Sequence, residues 1–189
     1  MDKAGLRAQF LSARRTLAPP VRRAADHALV AALMQALPDT GTVAAHLPFG
    51  GEPGASAVPP LPDALRDAGF QVLLPVLRDD LDLDWAAYDG HLMPARYGMS
   101  EPVGPRLGVA AIADTAAVVL PAVAVDRSGV RLGRGGGSYD RALARVPTGV
   151  PVIVLLYDSE LVARLPHEPH DRHVTGVMTP ARGLVRLPT

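Results

Sequence analysis

The residues best suited to chemistry lie between Asp126 and Arg141, in a segment rich in glycine and arginine. At its centre is the run R-L-G-R-G-G-G, which follows an apolar stretch typical of a buried strand. Glycines permit positive φ and leave no side chain between a ligand and the backbone, so successive N–H groups can converge on one anion. Guanidinium groups suit phosphate and carboxylate oxygens. The segment therefore predicts an anion site, served by Arg131, Arg134 and Arg141.

Two familiar nucleotide-binding motifs do not account for this segment. The chain has no G-x-x-x-x-G-K-[ST] phosphate loop. A dinucleotide fingerprint that starts at Gly133 fails at Ser138, which disfavours a dinucleotide-dependent oxidoreductase. A plain surface turn is the remaining alternative, but it does not explain why glycines, arginines and aspartates are packed together after a buried strand. We therefore favour anion binding.

Carboxylates flank the glycine-rich segment at Asp126 and Asp140. A carboxylate beside a phosphate site is useful when Mg²⁺ bridges the two. Asp171, in the segment L-P-H-E-P-H-D, is a further candidate that we expect to pair in space with Asp140. Zinc is an alternative there, because three histidines lie close together, but they occupy a proline-interrupted loop and no cysteine supports them. The histidines are His167, His170 and His173.

The chain contains a single lysine, Lys3. On a helix predicted from Asp2 to Leu17, Lys3 and Arg7 project from the same side, one turn apart. They form either a solvated basic face or a clamp for phosphate that reaches toward the glycine-rich segment. The lone lysine is either a chance survivor or marks a site that needs a compact ammonium, which arginine cannot replace.

The elements that must position these residues can be predicted from hydrophobic periodicity and from proline and glycine breaks. Further helices are predicted over Val21–Leu37, Pro62–Ala68, Ala142–Arg145 and from Tyr157 through Arg164. Buried or half-buried strands are predicted over Thr42–Leu47, Phe70–Leu77, Leu81–Ala86, Ala117–Val125 and Val152–Leu156.

Two acidic features of these elements need interpretation. The strand at Thr42–Leu47 runs into a loop that contains Glu52, and loops at the carboxyl ends of strands line ligand crevices in open α/β sheets. Glu52 is therefore a candidate ligand-binding residue. By contrast, the alternation of apolar residues and aspartate in Leu81–Ala86 predicts that Asp82 and Asp84 face solvent.

Taken together, these segments resemble the 5-formyltetrahydrofolate cyclo-ligase family, also called methenyltetrahydrofolate synthetases. The resemblance rests on the glycine-rich signature and on four further segments in the family's order, which are K-A-G-L-R at 3–7, the Glu52 loop, Y-G-M-S-E-P at 97–102 and L-P-H-E-P-H-D at 165–171. The chain departs from the family at Ser138, where an aromatic residue is usual, and at Gly54-Ala55, which replace polar residues.

The resemblance implies one α/β domain over residues 1–189, a three-layer α/β/α arrangement with a mostly parallel, Rossmann-like sheet. It implies ATP- and Mg²⁺-dependent cyclisation of 5-formyltetrahydrofolate to 5,10-methenyltetrahydrofolate, with release of ADP and phosphate. A non-catalytic relative that holds nucleotide or folate without closing the ring is the alternative.

Residue roles also follow from the resemblance. Lys3 and Arg134 are expected to be catalytic, and Asp140 and Asp171 to hold Mg²⁺. The residues expected to bind ATP are Lys3, Arg7, Arg131, Gly133, Arg134, Gly135, Gly136, Gly137, Ser138 and Tyr139. Those expected to bind folate are Arg7, Glu52, Gly136 and Tyr139.

Composition excludes several other classes of function. A formal net charge of zero over 189 residues argues against broad electrostatic binding to nucleic acid or anionic membranes. The absence of cysteine excludes disulfides and thiolate metal sites. No apolar run is long enough to span a bilayer, and Met1-Asp2-Lys3 does not begin a signal peptide. We expect a monomeric cytoplasmic protein whose partners are small molecules, a reduced folate and ATP.

Overall fold

The computed structural model describes residues 2–168 and 171–188, and it is organised around a seven-stranded sheet. The five inner strands run parallel, and an antiparallel strand closes each edge. From one edge to the other the strands are β12 (Gly183–Arg186), β11 (Gly176–Thr179), β9 (Val152–Leu155), β6 (Ala117–Pro121), β1 (Thr42–Ala45), β2 (Gln71–Leu77) and β3 (Leu83–Ala87).

Both faces of this sheet are covered. Side chains alternate along β6, so that Val119 joins one hydrophobic core and Leu120 the other. The first core packs against helices α2 (Pro19–Ala36) and α3 (Leu61–Asp67), and the second against α4 (Ser138–Leu143) and a 3₁₀ helix at Val109–Asp114. The sequences of the inner strands are therefore almost entirely apolar, as expected for parallel strands with two buried faces. The predicted α/β class is confirmed.

A second, three-stranded sheet lies beside the first. It consists of β10 (Leu161–Val162), β7 (Ala124–Asp126) and β8 (Arg131–Leu132). Apolar residues of helix α1 (Lys3–Thr16), among them Leu6, Phe10 and Leu11, pack against its small core. This contact brings the amino-terminal turn of α1 next to the glycine-rich segment. A two-stranded hairpin, β4 (Leu92–Pro94) with β5 (Ser100–Pro102), and 3₁₀ helices at Arg96–Gly98 and Asp158–Glu160 complete the fold.

The strand predicted over Ala117–Val125 is in fact two strands in two different sheets, β6 and β7. The chain crosses between them at Ala122 and Val123, whose carbonyls accept hydrogen bonds from Arg14 at 2.7 and 3.4 Å. Hydrophobic periodicity could not reveal the crossing, because the residues on both sides of it are buried.

Two other local predictions are wrong. Asp82 and Asp84 are only 8% and 7% exposed, because Asp82 pairs with Arg145 at 2.6 Å and Asp84 accepts a hydrogen bond from the amide of Gly108. The helix predicted from Tyr157 is a short 3₁₀ turn that leads directly into β10. The helix predicted at 142–145 begins earlier, at Ser138.

Within residues 2–168 and 171–188, no helix combines the length and the apolar character needed to cross a membrane.

Candidate active site

A cleft of about 910 Å³ opens at the carboxyl ends of β1 and β6, where it meets the glycine-rich segment. In open α/β sheets this is the edge at which ligands bind. Arg141, which the glycine-rich segment suggested for the anion site, does not line this cleft and instead donates to the carbonyls of Leu81 and Gly136 at 2.6 and 3.0 Å. Every residue to which the family resemblance assigned a ligand does line it. These residues are Lys3, Arg7, Glu52, Arg131, Gly133, Arg134, Gly135, Gly136, Gly137, Ser138, Tyr139, Asp140 and Asp171.

The glycines serve distinct structural purposes in this cleft. Gly135 and Gly137 have φ values of +103° and +68°, a region that L-residues rarely adopt. Gly133 lies so close to Arg131 that a Cβ atom there would be 2.7 Å from Nη1 of the guanidinium. The loop can therefore fold tightly over Arg131 only with glycine at these positions. Gly137 directly precedes α4, so Ser138 and Tyr139 form the first turn of that helix.

Arg131 provides a fixed positive charge beneath the loop. Its side chain is buried, its Nη2 lies 3.0 Å from Asp140, and its guanidinium lies 5.8 Å from the centre of the Tyr139 ring. Its Nε is buried and has no hydrogen-bond partner within the described part of the chain. Burial, reinforced by the negative charge of Glu52, raises the pKa of the Tyr139 phenol, so this hydroxyl remains a donor. Arg131 and Tyr139 thus present positive charge and a hydrogen-bond donor to the cleft.

Arg134 also lines the cleft and is bound to the loop that contains Glu52. Its Nη2 and Nε are 2.9 and 3.2 Å from the same oxygen of Glu52, and its guanidinium stacks 5.3 Å from the ring centre of Phe49. Glu52 is almost fully buried, whereas about half of the Arg134 side chain is exposed. The pair therefore fixes the direction of Arg134 and leaves its outer edge accessible to a ligand.

Helix α1 contributes the remaining cations. Arg7 Nε donates to the carbonyl of Gly133 at 2.7 Å, so the helix is tied directly to the loop. Lys3 Nζ lies 2.8 Å from Asp171 and 3.1 Å from Glu168. Desolvation lowers the pKa of Lys3, but hydrogen bonds and charge interactions with these two carboxylates outweigh it and raise the pKa above its usual value. Lys3 is therefore a positively charged group at neutral pH.

The two proposed metal ligands face the cleft from adjacent positions. Asp140 accepts from Arg131 and from the amide of Arg172 at 3.3 Å, which brings it near the neighbouring Asp171. Asp171 accepts from Lys3 and from the amide of Glu168. Over residues 2–168 and 171–188, no group of three or more His, Asp or Glu side chains is arranged to hold a metal. The zinc alternative gains no support from these residues, and His170 lies outside them.

Asp126 does not line the cleft. Its carboxylate is buried and accepts from the amide and hydroxyl of Ser128 and from the amides of Val130 and Leu165. Burial raises the pKa of this carboxyl, but the hydrogen bonds outweigh burial and lower it below its ordinary value. Asp126 therefore shapes the turn that precedes the glycine loop, and only Asp140 among the flanking aspartates reaches the ligand side.

Sequence reasoning missed His46, which directly follows β1 and lines the cleft. Its Nδ1 lies 3.3 Å from the carbonyl of Val119, so in the neutral ring this nitrogen carries the hydrogen and Nε2 is an acceptor. Desolvation, partly offset by the charge of Glu52, lowers the pKa of His46. Its place at the carboxyl end of a predicted parallel strand was the signal that could have identified it.

Comparison with known proteins shows the family to which this chain belongs. The model of the 5-formyltetrahydrofolate cyclo-ligase family matches residues 1–180. A Mycolicibacterium smegmatis protein named 5-formyltetrahydrofolate cyclo-ligase is 42% identical over 192 residues, covering 98% of this chain and 97% of that protein. The chain belongs to the 5-formyltetrahydrofolate cyclo-ligase family. The family expected from the sequence is confirmed, and with it the enzyme class, a ligase.

Other members of the cyclo-ligase family agree. An Escherichia coli K12 protein of the same name is 33% identical over 151 residues, or 75% of this chain and 79% of that protein. The NMR structure of Aquifex aeolicus 5,10-methenyltetrahydrofolate synthetase covers all of this chain with a TM-score of 0.81 and 28% identity, and 94% of that chain is matched. A Mycoplasma pneumoniae synthetase at 21% identity has the same fold, with a TM-score of 0.76 over 95% of this chain and 99% of its own.

Proposed function

We propose that this protein uses ATP and Mg²⁺ to close 5-formyltetrahydrofolate into 5,10-methenyltetrahydrofolate, with release of ADP and phosphate. The observation that carries the proposal is the convergence of Lys3, Arg7, Arg131 and Arg134 on one glycine-walled cleft, in a chain of the cyclo-ligase family. These cations come from α1, from β8 and from the loop that follows β8, and they suit a polyanion such as a triphosphate.

Phosphoryl transfer fits a site of this composition because it depends on positioning and charge neutralisation more than on a protein nucleophile. In the proposed reaction, the formyl oxygen attacks the γ-phosphorus of ATP and ADP leaves. N10 then bonds to the formyl carbon, the N10–H proton is lost, and the carbon–oxygen bond breaks to release phosphate. Lys3 and Arg134 are placed in the role of stabilising charge on the transferred group, because each is held by a carboxylate yet faces the cleft.

The glycine loop and Arg131 are proposed to hold the remaining phosphates. Backbone N–H groups of residues 135–137 can approach an anion because no side chain intervenes, and Arg131 supplies charge from below. Arg7 braces the loop through Gly133 and faces the same space. These assignments place ATP on the side of the cleft formed by α1 and the loop.

The reduced folate is proposed to occupy the other side, where the lining becomes apolar. Leu74, Leu83 and Met99 line this side together with Tyr97, and such surfaces suit a planar ring system. Glu52 borders it and can accept a hydrogen bond from a ring N–H. Tyr139, which lines the cleft beside Arg131, is proposed to contact both ligands.

Asp140 and Asp171 fit Mg²⁺ only in combination with a phosphate ligand. Mg²⁺ usually keeps several waters and takes one or two carboxylates together with substrate phosphates. Two carboxylates on the rim of a phosphate-binding cleft match that donor set, whereas a closed cage of protein ligands is absent from the described residues. When bound, Mg²⁺ would neutralise charge on the phosphates. Without the metal, Asp171 pairs with Lys3 and Asp140 pairs with Arg131, so the two carboxylates also orient these cations.

One assay tests the proposal directly. Purified protein is mixed with 5-formyltetrahydrofolate, ATP and Mg²⁺, and the absorbance of the methenyl product is followed. We expect product only when all three are present, and Asp171→Asn to require more Mg²⁺ than the wild type. Binding of both ligands without product would instead identify a non-catalytic relative. That alternative is favoured by Ser138, which stands where the family usually has an aromatic residue.

The proposed binding of ATP is tested with Arg134→Ala. Loss of this charged donor should weaken ATP binding by about ten- to a hundredfold, since hydrogen bonds to charged groups contribute roughly 1.5–3 kcal/mol. Calorimetric titration with ATP measures the change. Arg186→Ala, which removes an exposed arginine from the edge strand β12, is the control and should bind ATP like the wild type. Equal affinity in all three proteins would contradict the assignment.

A further inference from the structure

Asp26 is a fully buried carboxylate on helix α2 that neither lines the cleft nor has a role in the proposed chemistry. Burying a carboxylate is costly unless donors compensate for the lost water. Here four donors do so. Oδ1 accepts from the amide of Gly54 at 2.8 Å and from the hydroxyl of Tyr157 at 2.9 Å, and Oδ2 accepts from the amide and hydroxyl of Ser56 at 2.9 and 2.5 Å.

Three of these four donors belong to one segment, residues 49–57, which we call the Glu52 loop. Within it, successive turns are closed by backbone bonds from Glu52 to Phe49, from Ala55 to Glu52 and from Ala57 to Gly54. These bonds shape the turns, but they do not attach the loop to the rest of the molecule. Asp26 does, because it binds two loop amides from a neighbouring helix.

The attachment point is close to the functional end of the loop. Gly54, which takes φ +91°, lies two residues after Glu52, and a Cβ at this position would be 3.4 Å from Leu155. Glu52 in turn receives the amide of Phe49 and binds Arg134. Phe49 supplies the ring on which Arg134 stacks. Both contacts that direct Arg134 into the cleft therefore come from the loop that Asp26 holds.

We infer that Asp26 is a positioning residue, which fixes the Glu52 loop and thereby sets where Glu52 and Arg134 stand in the cleft. The inference rests on the proposed function, in which Arg134 stabilises the transferred phosphoryl group. It identifies a determinant of activity that lies on a helix outside the cleft. It also accounts for Gly54, since this glycine lets the backbone amide reach the buried carboxylate.

The test is Asp26→Asn, which keeps the size of the side chain but replaces one acceptor oxygen with an NH₂ group that faces donors. Misplacement of a cleft residue by an ångström can cost up to about a hundredfold in rate, so kcat/KM for cyclisation should fall by about ten- to a hundredfold. Tyr157→Phe is the matched control. It removes a donor from the same carboxylate but leaves both loop amides bonded, so it should lose stability while kcat/KM stays at the wild-type value.

A double-mutant cycle separates positioning from general damage. In a Glu52→Gln background, Asp26→Asn should cause little further loss of kcat/KM, because the residue through which it acts is already altered. Full additivity, or an equal loss in Tyr157→Phe, would overturn the inference. If Asp26→Asn does not fold, Ser56→Ala removes one of the loop's bonds and should give a smaller loss with the same non-additivity.

A second measurement needs no substrate and so remains informative if the proposed function fails. Backbone amide hydrogen exchange over residues 49–57 should accelerate in Asp26→Asn and remain at the wild-type rate in Tyr157→Phe. An inactive wild type with this exchange pattern would reject the cyclo-ligase reaction but keep the attachment of the loop. Unchanged exchange in Asp26→Asn would reject the attachment itself, whatever the activity.

Discussion

At the scale of single residues, Lys3 is the residue for which both the charge and the exact position of the side chain should matter. Its ammonium reaches the cleft from the first turn of α1 and is held between Asp171 and Glu168. Lys3→Arg keeps the charge but replaces a compact group with a wider planar one. We expect turnover to fall on the order of a hundredfold, because a displaced charge no longer matches the transferred phosphoryl group.

The readout for Lys3→Arg is kcat together with the melting temperature. The melting temperature should hardly change, since partly exposed ion pairs contribute only about 0–1 kcal/mol. Arg15→Lys, a charge-conserving swap at an exposed position of the same helix, is the control and should have wild-type kcat. Wild-type turnover in Lys3→Arg would remove Lys3 from the catalytic residues and make its being the sole lysine a matter of chance.

His46 makes a prediction about pH. Its pKa is lowered chiefly by desolvation, so on acidification the unfolded chain takes up a proton near pH 6.5 before the folded protein does. The stability it contributes is thus complete above about pH 6.5 and is lost as pH falls toward the folded-state pKa. Thermal unfolding between about pH 7.5 and 5 should therefore be less pH-dependent in His46→Gln than in the wild type. The exposed His27→Gln is the control, and a wild-type slope in His46→Gln would refute the account.

At the scale of elements, the glycine loop works through its backbone conformation. Gly135 adopts φ +103°, and a Cβ there would lie 3.6 Å from the guanidinium carbon of Arg7, an ordinary contact, so Gly135→Ala strains the backbone without a steric clash. We expect ATP affinity to fall at least about tenfold, because the N–H groups that would face the phosphates must reorient. Binding is measured by calorimetry with ATP.

Gly149 provides a matched control for that substitution. It has φ +95° in an exposed turn, and nothing lies within 4 Å of the position its Cβ would take. Gly149→Ala should therefore cost a similar amount of stability, roughly 1 kcal/mol, but leave ATP affinity intact. Equal losses of affinity in the two variants would show that strain alone, and not the loop's place in the cleft, is responsible.

The elements that could be predicted from the sequence are those whose structure is determined by neighbouring residues in the chain. Helix α2 and strand β9 carry uninterrupted local signals, so both were predicted correctly to within two residues at each end. The crossing between β6 and β7 was not, because Ala122 and Val123 are buried like their neighbours and the side chain that binds their carbonyls, Arg14, is more than a hundred positions away. The burial of Asp82 likewise depends on distant Arg145. Long-range partners of buried polar groups leave no periodic trace in the sequence.

At the scale of the whole molecule, the docking of α1 against the body of the protein brings Lys3 and Arg7 to the cleft. A buried ion pair does part of this docking. Arg14 is bound to Glu160 through Nε and Nη2 at 2.6 and 3.0 Å, and it also donates to the carbonyl of Ala122. Both side chains are less than 5% exposed. Since α1 also carries Lys3 and Arg7, this pair connects the stability of the fold to the geometry of the cleft.

The last prediction concerns this pair. Removing one partner leaves a buried charge uncompensated, so Arg14→Met or Glu160→Leu should each lower the free energy of unfolding by about 3–5 kcal/mol. Replacing both with apolar residues removes that penalty, and the double variant should be much more stable than the sum of the single changes implies. Denaturant unfolding measures the stabilities. Arg78→Met, which breaks the exposed pair with Asp80, should leave the free energy of unfolding close to the wild-type value, because exposed ion pairs contribute little.

Activity then shows whether the pair matters for the cleft as well as for the fold. At a temperature where every variant is folded, the single variants should show a raised KM for ATP, because a loosened α1 no longer holds Lys3 and Arg7 against the loop. The apolar double variant should recover part of that loss, since packing restores the docking of the helix. If the changes in the free energy of unfolding of the two single variants add up to that of the double variant, Arg14 and Glu160 do not interact as a buried ion pair. A KM for ATP that is unchanged in the single variants, despite their lower stability, would show that the docking of α1 and the geometry of the cleft are independent.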